Sequence, residues 1–236
     1  MTKFIVHIGD GKCGSSSLQK GLHEIRNQLR DKGIIYETAN AHHGHFDLVS
    51  LVGKENREAI SVEATVQRAQ KTIDLIREKL RPDSTVLLSA ESFFSLPPYL
   101  LIKILQMISP SIDRLDLIAY VRAPHSMYLS LVQQIVKADS IFPMPDKYAR
   151  PVDMILKRWR DYPDVNTLTV HNFDRSHLVD GDVVPDFTRV LRDLTGFGDI
   201  DLPSLNVNTT LSAEQLVLLQ KYRGIFLKDH DGGPSG

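Results

Sequence analysis

A single cysteine, Cys13, stands among 236 residues. That excludes an intramolecular disulfide framework and a zinc site built on several cysteines, and it suits a reducing compartment. Neither sign of charge is in excess, with 28 Lys and Arg against 29 Asp and Glu and a net charge of −1. A protein that grips nucleic acid by neutralising phosphates needs a basic surplus, so no nucleic-acid partner is expected. No apolar run nears the roughly 20 residues that span a bilayer. The opening "MTKFIVHIGDG" has too short an apolar stretch for a signal peptide and runs straight into a strand. Internal repeats, low-complexity tracts and an interdomain linker are missing too. What remains is 42% hydrophobic and 24% charged, the composition of a soluble globular protein able to bury a sizeable core. The expectation is a cytoplasmic α/β protein with one domain over 1–228 and a disordered tail, "DHDGGPSG", at its end.

Apolar runs of strand length alternate with stretches of helical period. "KFIVHIG" (3–9), "GIIYE" (33–37), "STVLLSA" (84–90), "LDLIAYVR" (115–122) and "NTLTVHNF" (166–173) read as strands. Leu18, Leu22, Ile25 and Leu29 share one face of a helix over 15–33, which stops at Gly33. Val62, Val66, Ala69, Ile73, Ile76 and Leu80 make a buried stripe over 61–80. Pro97-Pro98 opens a helix to about 108, Pro124 stands at the first position of another, and 184–195 and 211–228 are also helical in pattern. Strands alternating with helices along the whole chain predict a three-layer α/β/α fold on a mostly parallel, doubly wound sheet. Such sheets bind ligands beyond the carboxyl ends of their strands. Residues 138–151 read as an irregular lid.

The stretch "HIGDGKCGSSSLQKGL" (7–22) joins the first strand to the first helix, and three chemistries use such a loop. A nucleotide P-loop needs Lys directly after its second glycine. Gly9 and Gly14 have the glycine spacing, but Lys12 precedes Gly14 and Ser15 follows it. A cysteine phosphatase needs Arg six residues after its thiolate, and Gln19 stands there instead. A cradle for an anionic ester needs a glycine that admits close approach, hydroxyl donors and a helix N-terminus. Gly14, Ser15, Ser16 and Ser17 supply all three.

The last pattern resembles the 5′-phosphosulfate loop of the sulfotransferases that use 3′-phosphoadenosine 5′-phosphosulfate (PAPS), bacterial members in particular. Lys12, Gly14, Ser15, Ser16, Leu18 and Gln19 match that loop, and Cys13 stands where relatives carry Thr or Ser. A second match lies in "AYVRAPHSMYLS", where Arg122 ends a strand and Ser130 follows eight residues later inside a helix. "TVHNFDRSHLVDGDVVPDF" and the "NVNTTLSAEQLVLLQ" helix entry, with Ser212 as an N-cap, resemble the family more weakly, and no Arg-Lys-Gly stretch is present. The resemblance implies a P-loop NTPase-like sulfotransferase fold. It implies donor contacts from Lys12, Cys13, Gly14, Ser15, Ser16 and Ser17, a 3′-phosphate site at Arg122 and Ser130, and adenine stacking on Phe173. PAPS would be the co-substrate and 3′,5′-ADP the product, with no metal. Lys12 would stabilise charge on the leaving oxygen.

Two candidates for the base that takes the acceptor's proton come from the residues themselves. One is the cluster "NAHHGHFD", with His42, His43 and His45, because imidazole titrates near neutral pH. The other is Glu91, just beyond the strand in "LLSAESFF". Phe142, Met144, Tyr148 and Arg150 are placed to line an acceptor lid, and Lys157, Arg158 and Arg160 form either an anion-favouring patch or a solvated helix face. The acceptor implied by the resemblance is a small-molecule or glycan hydroxyl, including a lipid-linked glycan. The competing classes are a P-loop kinase and a non-catalytic donor-binding relative. Oligomeric state and acceptor identity have no sequence signal.

Overall fold

An uninterrupted apolar strand needs cover on both faces, and this fold supplies it. The computed structural model of the chain describes residues 2–52, 59–138, 144–148 and 150–204, with 215, 218, 221 and 222. β1 (Thr2–Gly9), β2 (Ile34–Ile35), β3 (Thr85–Ser89), β4 (Ile112–Val121) and β5 (Thr167–Asn172) form a five-stranded sheet in the order β2-β3-β1-β4-β5. All four strand pairs are parallel. Parallel neighbours require crossovers, and helices provide them. α1 (Ser15–Glu24) and α2 (Arg26–Asp31) lead from β1 to β2, α3 (Ala59–Lys79) from β2 to β3, and α4 (Pro98–Ile108) from β3 to β4. α5 (Pro124–Ala138) and α6 (Val152–Arg160) lie between β4 and β5 in sequence, and α7 (Val183–Thr195) follows β5.

The chain divides into two compact units. Met1–Val121 with Val152–Asn206 holds the whole sheet, and Arg122–Pro151 with Val207–Gly236 forms the other. Within the first unit the two faces of the sheet are distinct, as strand alternation dictates. Phe4, Val6 and Ile8 of β1 pack with Ile73 and Ile76 of α3, Ile104 and Leu105 of α4, and Trp159 of α6. His7 points the other way and meets Phe187 of α7 edge-on at 5.7 Å, while Gln19 of α1 reaches Ser89 on the same side. Helices therefore cover both faces, and the three-layer α/β/α reading holds.

Trp159, the lone tryptophan, is buried and donates its indole N–H to the Phe94 carbonyl at 3.0 Å. Beside it Arg158 donates to the carbonyls of Ser95 and Leu96 at 3.1 and 3.2 Å. Arg158 thus clamps α6 to the segment before α4, whereas Lys157 and Arg160 are solvated. The helix expected over 15–33 is broken at Ile25 (φ −96°, ψ 10°) into α1 and α2. Its apolar stripe survives the break, since Leu18, Leu22, Ile25 and Leu29 are all buried. The strand expected over 33–37 pairs only at Ile34 and Ile35, and just beyond them the Tyr36 hydroxyl donates to the His43 carbonyl at 2.6 Å. No helix among the described residues is long and apolar enough to cross a membrane. Phe142, Ser212 and the tail 229–236 lie outside the described residues, as does the helix expected over 211–228 apart from four residues.

Candidate functional site

β1 and β4 are neighbours in the sheet, and the connection after β1 leads to the β2 edge while that after β4 leads to the β5 edge. Open α/β sheets bind ligands beyond the strand ends at such a switch point, and the loop 9–14 follows β1 there. Gly9 is left-handed (φ +83°), and a Cβ there would stand 2.8 Å from Glu91 Cα. Asp10 is buried, its N–H bonded to the Tyr120 carbonyl at 2.9 Å and its Oδ1 accepting from the Gly11 N–H at 2.7 Å. Lys12 is half-buried and itself left-handed (φ 63°), a conformation that costs a non-glycine residue energy. Cys13 is fully buried, with its thiol 3.6 Å from the Gly11 carbonyl. It presents no exposed nucleophile.

Gly14 caps α1 in the left-handed region (φ +77°), against Val183 and Phe173. Its carbonyl accepts the N–H groups of Ser17 and Leu18, which starts the helix. The N–H groups of Gly14, Ser15 and Ser16 have no main-chain partner among the described residues. These are the donors that a helix start leaves open to an anion, and the helix dipole favours negative charge there. The Ser15 hydroxyl is buried without a hydrogen-bond partner of good geometry, and Ser16 is exposed.

Glu91 lies across this loop from Lys12. As a residue it is solvent-exposed, but its carboxyl turns inward, with Oε2 standing 3.7 Å from where a Cβ on Gly11 would lie. Burial of the carboxyl raises its pKa, the Ser15 hydroxyl and the Lys12 charge oppose that rise, and Asp10 adds to it. A carboxylate held above its usual range beside a lysine is suited to proton transfer.

The histidine candidates separate. His45 is buried and engaged at both ring nitrogens: Nδ1 accepts the Ser89 N–H at 3.1 Å, and Nε2 lies 3.0 Å from the Glu37 carbonyl. The first bond places the proton on Nε2, which donates it to Glu37. Burial lowers the His45 pKa to about 4. His45 has both ring nitrogens engaged with main chain. His43 is left-handed (φ 63°) and stacks on His23 of α1 with ring centroids 3.9 Å apart, its Nδ1 buried and unbonded. His42 is exposed near Phe46, at 6.2 Å between rings. Glu91 is the candidate that the fold brings to the loop.

Phe173 also reaches the loop, its ring edge 3.3 Å from the position of a Gly14 Cβ. Its N–H bonds the Val121 carbonyl at 2.7 Å, which holds it at the end of β5. Arg122 and Ser130 belong to the second unit. Arg122 follows β4 directly and donates to the Ser126 hydroxyl at 3.2 Å, one helical turn before Ser130 on the same face of α5. In that unit Tyr148 lies 5.5 Å from Tyr128 between ring centroids, Met144 is exposed and Arg150 half-buried.

Sequence reasoning missed a buried polar network on the α7 side of the sheet. Asp186 is fully buried and accepts from Tyr120 Oη at 2.8 Å, the Val179 N–H at 3.2 Å and Arg189 at 3.2 Å. His171 Nδ1 stands 2.9 Å from the same carboxylate, and its ring stacks on Tyr120 at 5.0 Å. The signal available was an acid on an apolar stripe, since Val183, Val184, Phe187, Val190 and Leu191 surround Asp186 on the buried face of α7.

The fold is a three-layer α/β/α one on a parallel sheet, and the loop after β1 leaves the N–H groups of Gly14, Ser15 and Ser16 without main-chain partners among the described residues. No protein-family model matches the chain, and no curated protein matches it. Among solved structures, one described as "Molecular and structural characterization of the PezAT chromosomal toxin-antitoxin system of the human pathogen Streptococcus pneumoniae" matches 94% of this chain and 85% of its own, at 14% identity and a TM-score of 0.38. A likeness at that level carries no argument about function.

Proposed function

We propose that this protein is a cytoplasmic sulfotransferase that moves the sulfuryl group of PAPS to an acceptor hydroxyl or amine. The acceptor class assigned by the resemblance is a carbohydrate or lipid-linked glycan. The observation that carries the reading is the loop itself. Lys12 is held in a left-handed turn just before Gly14, open N–H donors follow at the start of α1, and Glu91 lies beside them.

In the proposed step the acceptor oxygen attacks sulfur while its proton passes to the Glu91 carboxylate. The bond from sulfur to the bridging oxygen breaks, and its electron pair stays on the 5′-phosphate of 3′,5′-ADP. Lys12 and the α1 N-terminus stabilise that growing charge, the kind of preorganised electrostatic contribution that dominates many transfer reactions. The placement of Phe173 against Gly14 supports its part in stacking the adenine. Arg122 and Ser130 are assigned the 3′-phosphate by the sequence pattern.

Calorimetry with 3′,5′-ADP against ATP tests the reading. 3′,5′-ADP is expected to bind without magnesium and ATP to bind weakly or not at all. Lys12→Ala should leave 3′,5′-ADP affinity within a few fold and cut transfer by about 10²- to 10³-fold, the loss typical of one transition-state donor. Arg122→Ala should weaken 3′,5′-ADP by about ten- to a hundredfold, as for a charge-assisted hydrogen bond. Binding of ATP with magnesium and none of 3′,5′-ADP would replace this reading with a kinase. Donor binding without transfer to any of a broad acceptor panel would make the protein a non-catalytic donor binder.

A further inference from the structure

Ser89 closes β3 two residues before Glu91, and each of its polar atoms is engaged. Its N–H donates to His45 Nδ1 at 3.1 Å. Its carbonyl accepts the His45 N–H at 2.8 Å and, at 3.4 Å, the Gln19 amide. Its hydroxyl stands 2.8 Å from His7 Nδ1 and 3.3 Å from Gln19 Nε2. The next N–H, of Ala90, donates to the His7 carbonyl at 3.0 Å. Three separate segments, β1, α1 and the loop carrying His45, therefore converge on one residue at a strand end. The His45 ring is itself held, by its Nε2 bond to Glu37 at 3.0 Å and by Tyr36 packed edge-on at 5.0 Å.

Burying this many polar groups is not what a strand end needs for stability alone. An apolar residue in place of Ser89 would require neither His7 nor Gln19 as a partner, and buried imidazoles are expensive to desolvate. What the cluster does achieve is a rigid main chain through 89 and 90. Glu91 Cα is then pressed against Gly9, where no Cβ fits, so its backbone is held from both sides.

We infer that Ser89, His45, His7 and Gln19 are a positioning cluster for Glu91, fixing the backbone from which its carboxyl is presented to Lys12, Ser15 and Asp10. His45 thus acts through Ser89 and does not touch the reacting groups. Glu91 serving as base, as proposed above, is what gives the cluster its catalytic meaning. Its hold on the carboxyl is measurable without turnover.

The test has two arms. In the first, glutamate side chains labelled with ¹³C are titrated by NMR over the pH range in which the chain stays folded, the Glu91 signal being assigned through Glu91→Gln. The wild-type carboxyl is expected to titrate above the ordinary carboxylate range. In His45→Ala and Ser89→Ala it should move back by half a unit or more, because a loosened carboxyl regains water. His45→Asn, which keeps an acceptor near the Nδ1 position, should restore most of the shift. Gln19→Met removes only the outer, longer contacts and keeps the measurement available if His45→Ala fails to fold. In the second arm, slow hydrolysis of PAPS should lose about tenfold or more in kcat in His45→Ala, with 3′,5′-ADP affinity within threefold, since small misplacement of a reacting group costs rate and spares binding. An identical Glu91 titration in all folded variants overturns the inference. A wild-type Glu91 that titrates in the ordinary range overturns it too. If the carboxyl responds but 3′,5′-ADP does not bind, the positioning cluster stands and the sulfotransferase reading falls. If PAPS is turned over and the carboxyl does not respond, only the positioning cluster falls.

Discussion

Acidification from pH 7 to pH 4 is expected to remove about 3 kcal/mol of stability for each of His7 and His45. Both imidazoles are fully buried and burial lowers the pKa of each from 6.5 to about 4. The sign follows from proton uptake. Above pH 6.5 both groups are neutral whether the chain is folded or unfolded, and the full stability is present. Below 6.5 the unfolded chain takes up protons that the folded chain refuses, so stability falls by roughly 1.4 kcal/mol per pH unit per group until about pH 4. His23 and His171 are lowered by the same cause and add in the same direction. Because His7 and His45 share Ser89, their losses will not add independently. A combined loss of about 5 kcal/mol is still a large part of the roughly 5–15 kcal/mol available to a typical domain. Urea denaturation followed by Trp159 fluorescence at pH 7, 6 and 5 measures this, in a window where most carboxylates do not yet titrate. His45→Asn should reduce the slope toward that of a single histidine. A urea midpoint that stays flat from pH 7 to pH 5 would contradict the burial of both rings.

Gly14→Ala is expected to cost about 2–5 kcal/mol and, on the proposed function, to abolish 3′,5′-ADP binding. Two separate effects contribute. An alanine at φ +77° pays roughly 1–2 kcal/mol for the left-handed conformation. Its Cβ would also stand 2.6 Å from Val183 Cγ1 and 3.3 Å from Phe173 Cε2, so the first turn of α7 or the loop must shift. Overpacking of this kind typically costs about 1–3 kcal/mol. The two contributions can be separated with Val183→Ala, which empties the space that the new methyl needs. The double variant should recover the clash and retain the conformational cost, so its stability should exceed the sum of the single effects by about 1 kcal/mol or more. Chemical denaturation checks the cycle, and calorimetry with 3′,5′-ADP reports whether the open N–H groups at the start of α1 keep their arrangement. Strict additivity would show that Val183 yields without cost.

Periodicity and spacing carried the architecture. The strands around Ile5, Leu87 and Ile118 were legible because an apolar run of strand length between helical stretches has few alternatives in a chain without long hydrophobic segments. The loop at 9–14 was legible for a similar reason, since Gly14 followed by three serines before an amphipathic run marks a helix start whatever the fold around it. Less legible were the limits of the elements. The break at Ile25 and the two-residue length of β2 leave no mark in the apolar pattern, which runs on unbroken through both.

The roles of the titratable groups were hardly legible at all. A histidine near neutral pH reads from sequence as a candidate base, and His43 and His45 read so slightly ahead of Glu91. Burial decided between them, because it engaged both nitrogens of His45 with main chain while bringing the Glu91 carboxyl to Lys12. His7 and Asp186 gave no functional signal, since a lone polar residue in an apolar pattern does not say which distant strand or helix will meet it. Sequence by itself determined the alternation of strands and helices, and the glycine-serine turn that starts α1, because these follow from local propensity and pattern. Only the tertiary structure decided which charges face one another and which are silenced, because desolvation and hydrogen bonding depend on neighbours that the chain brings together from tens of residues apart.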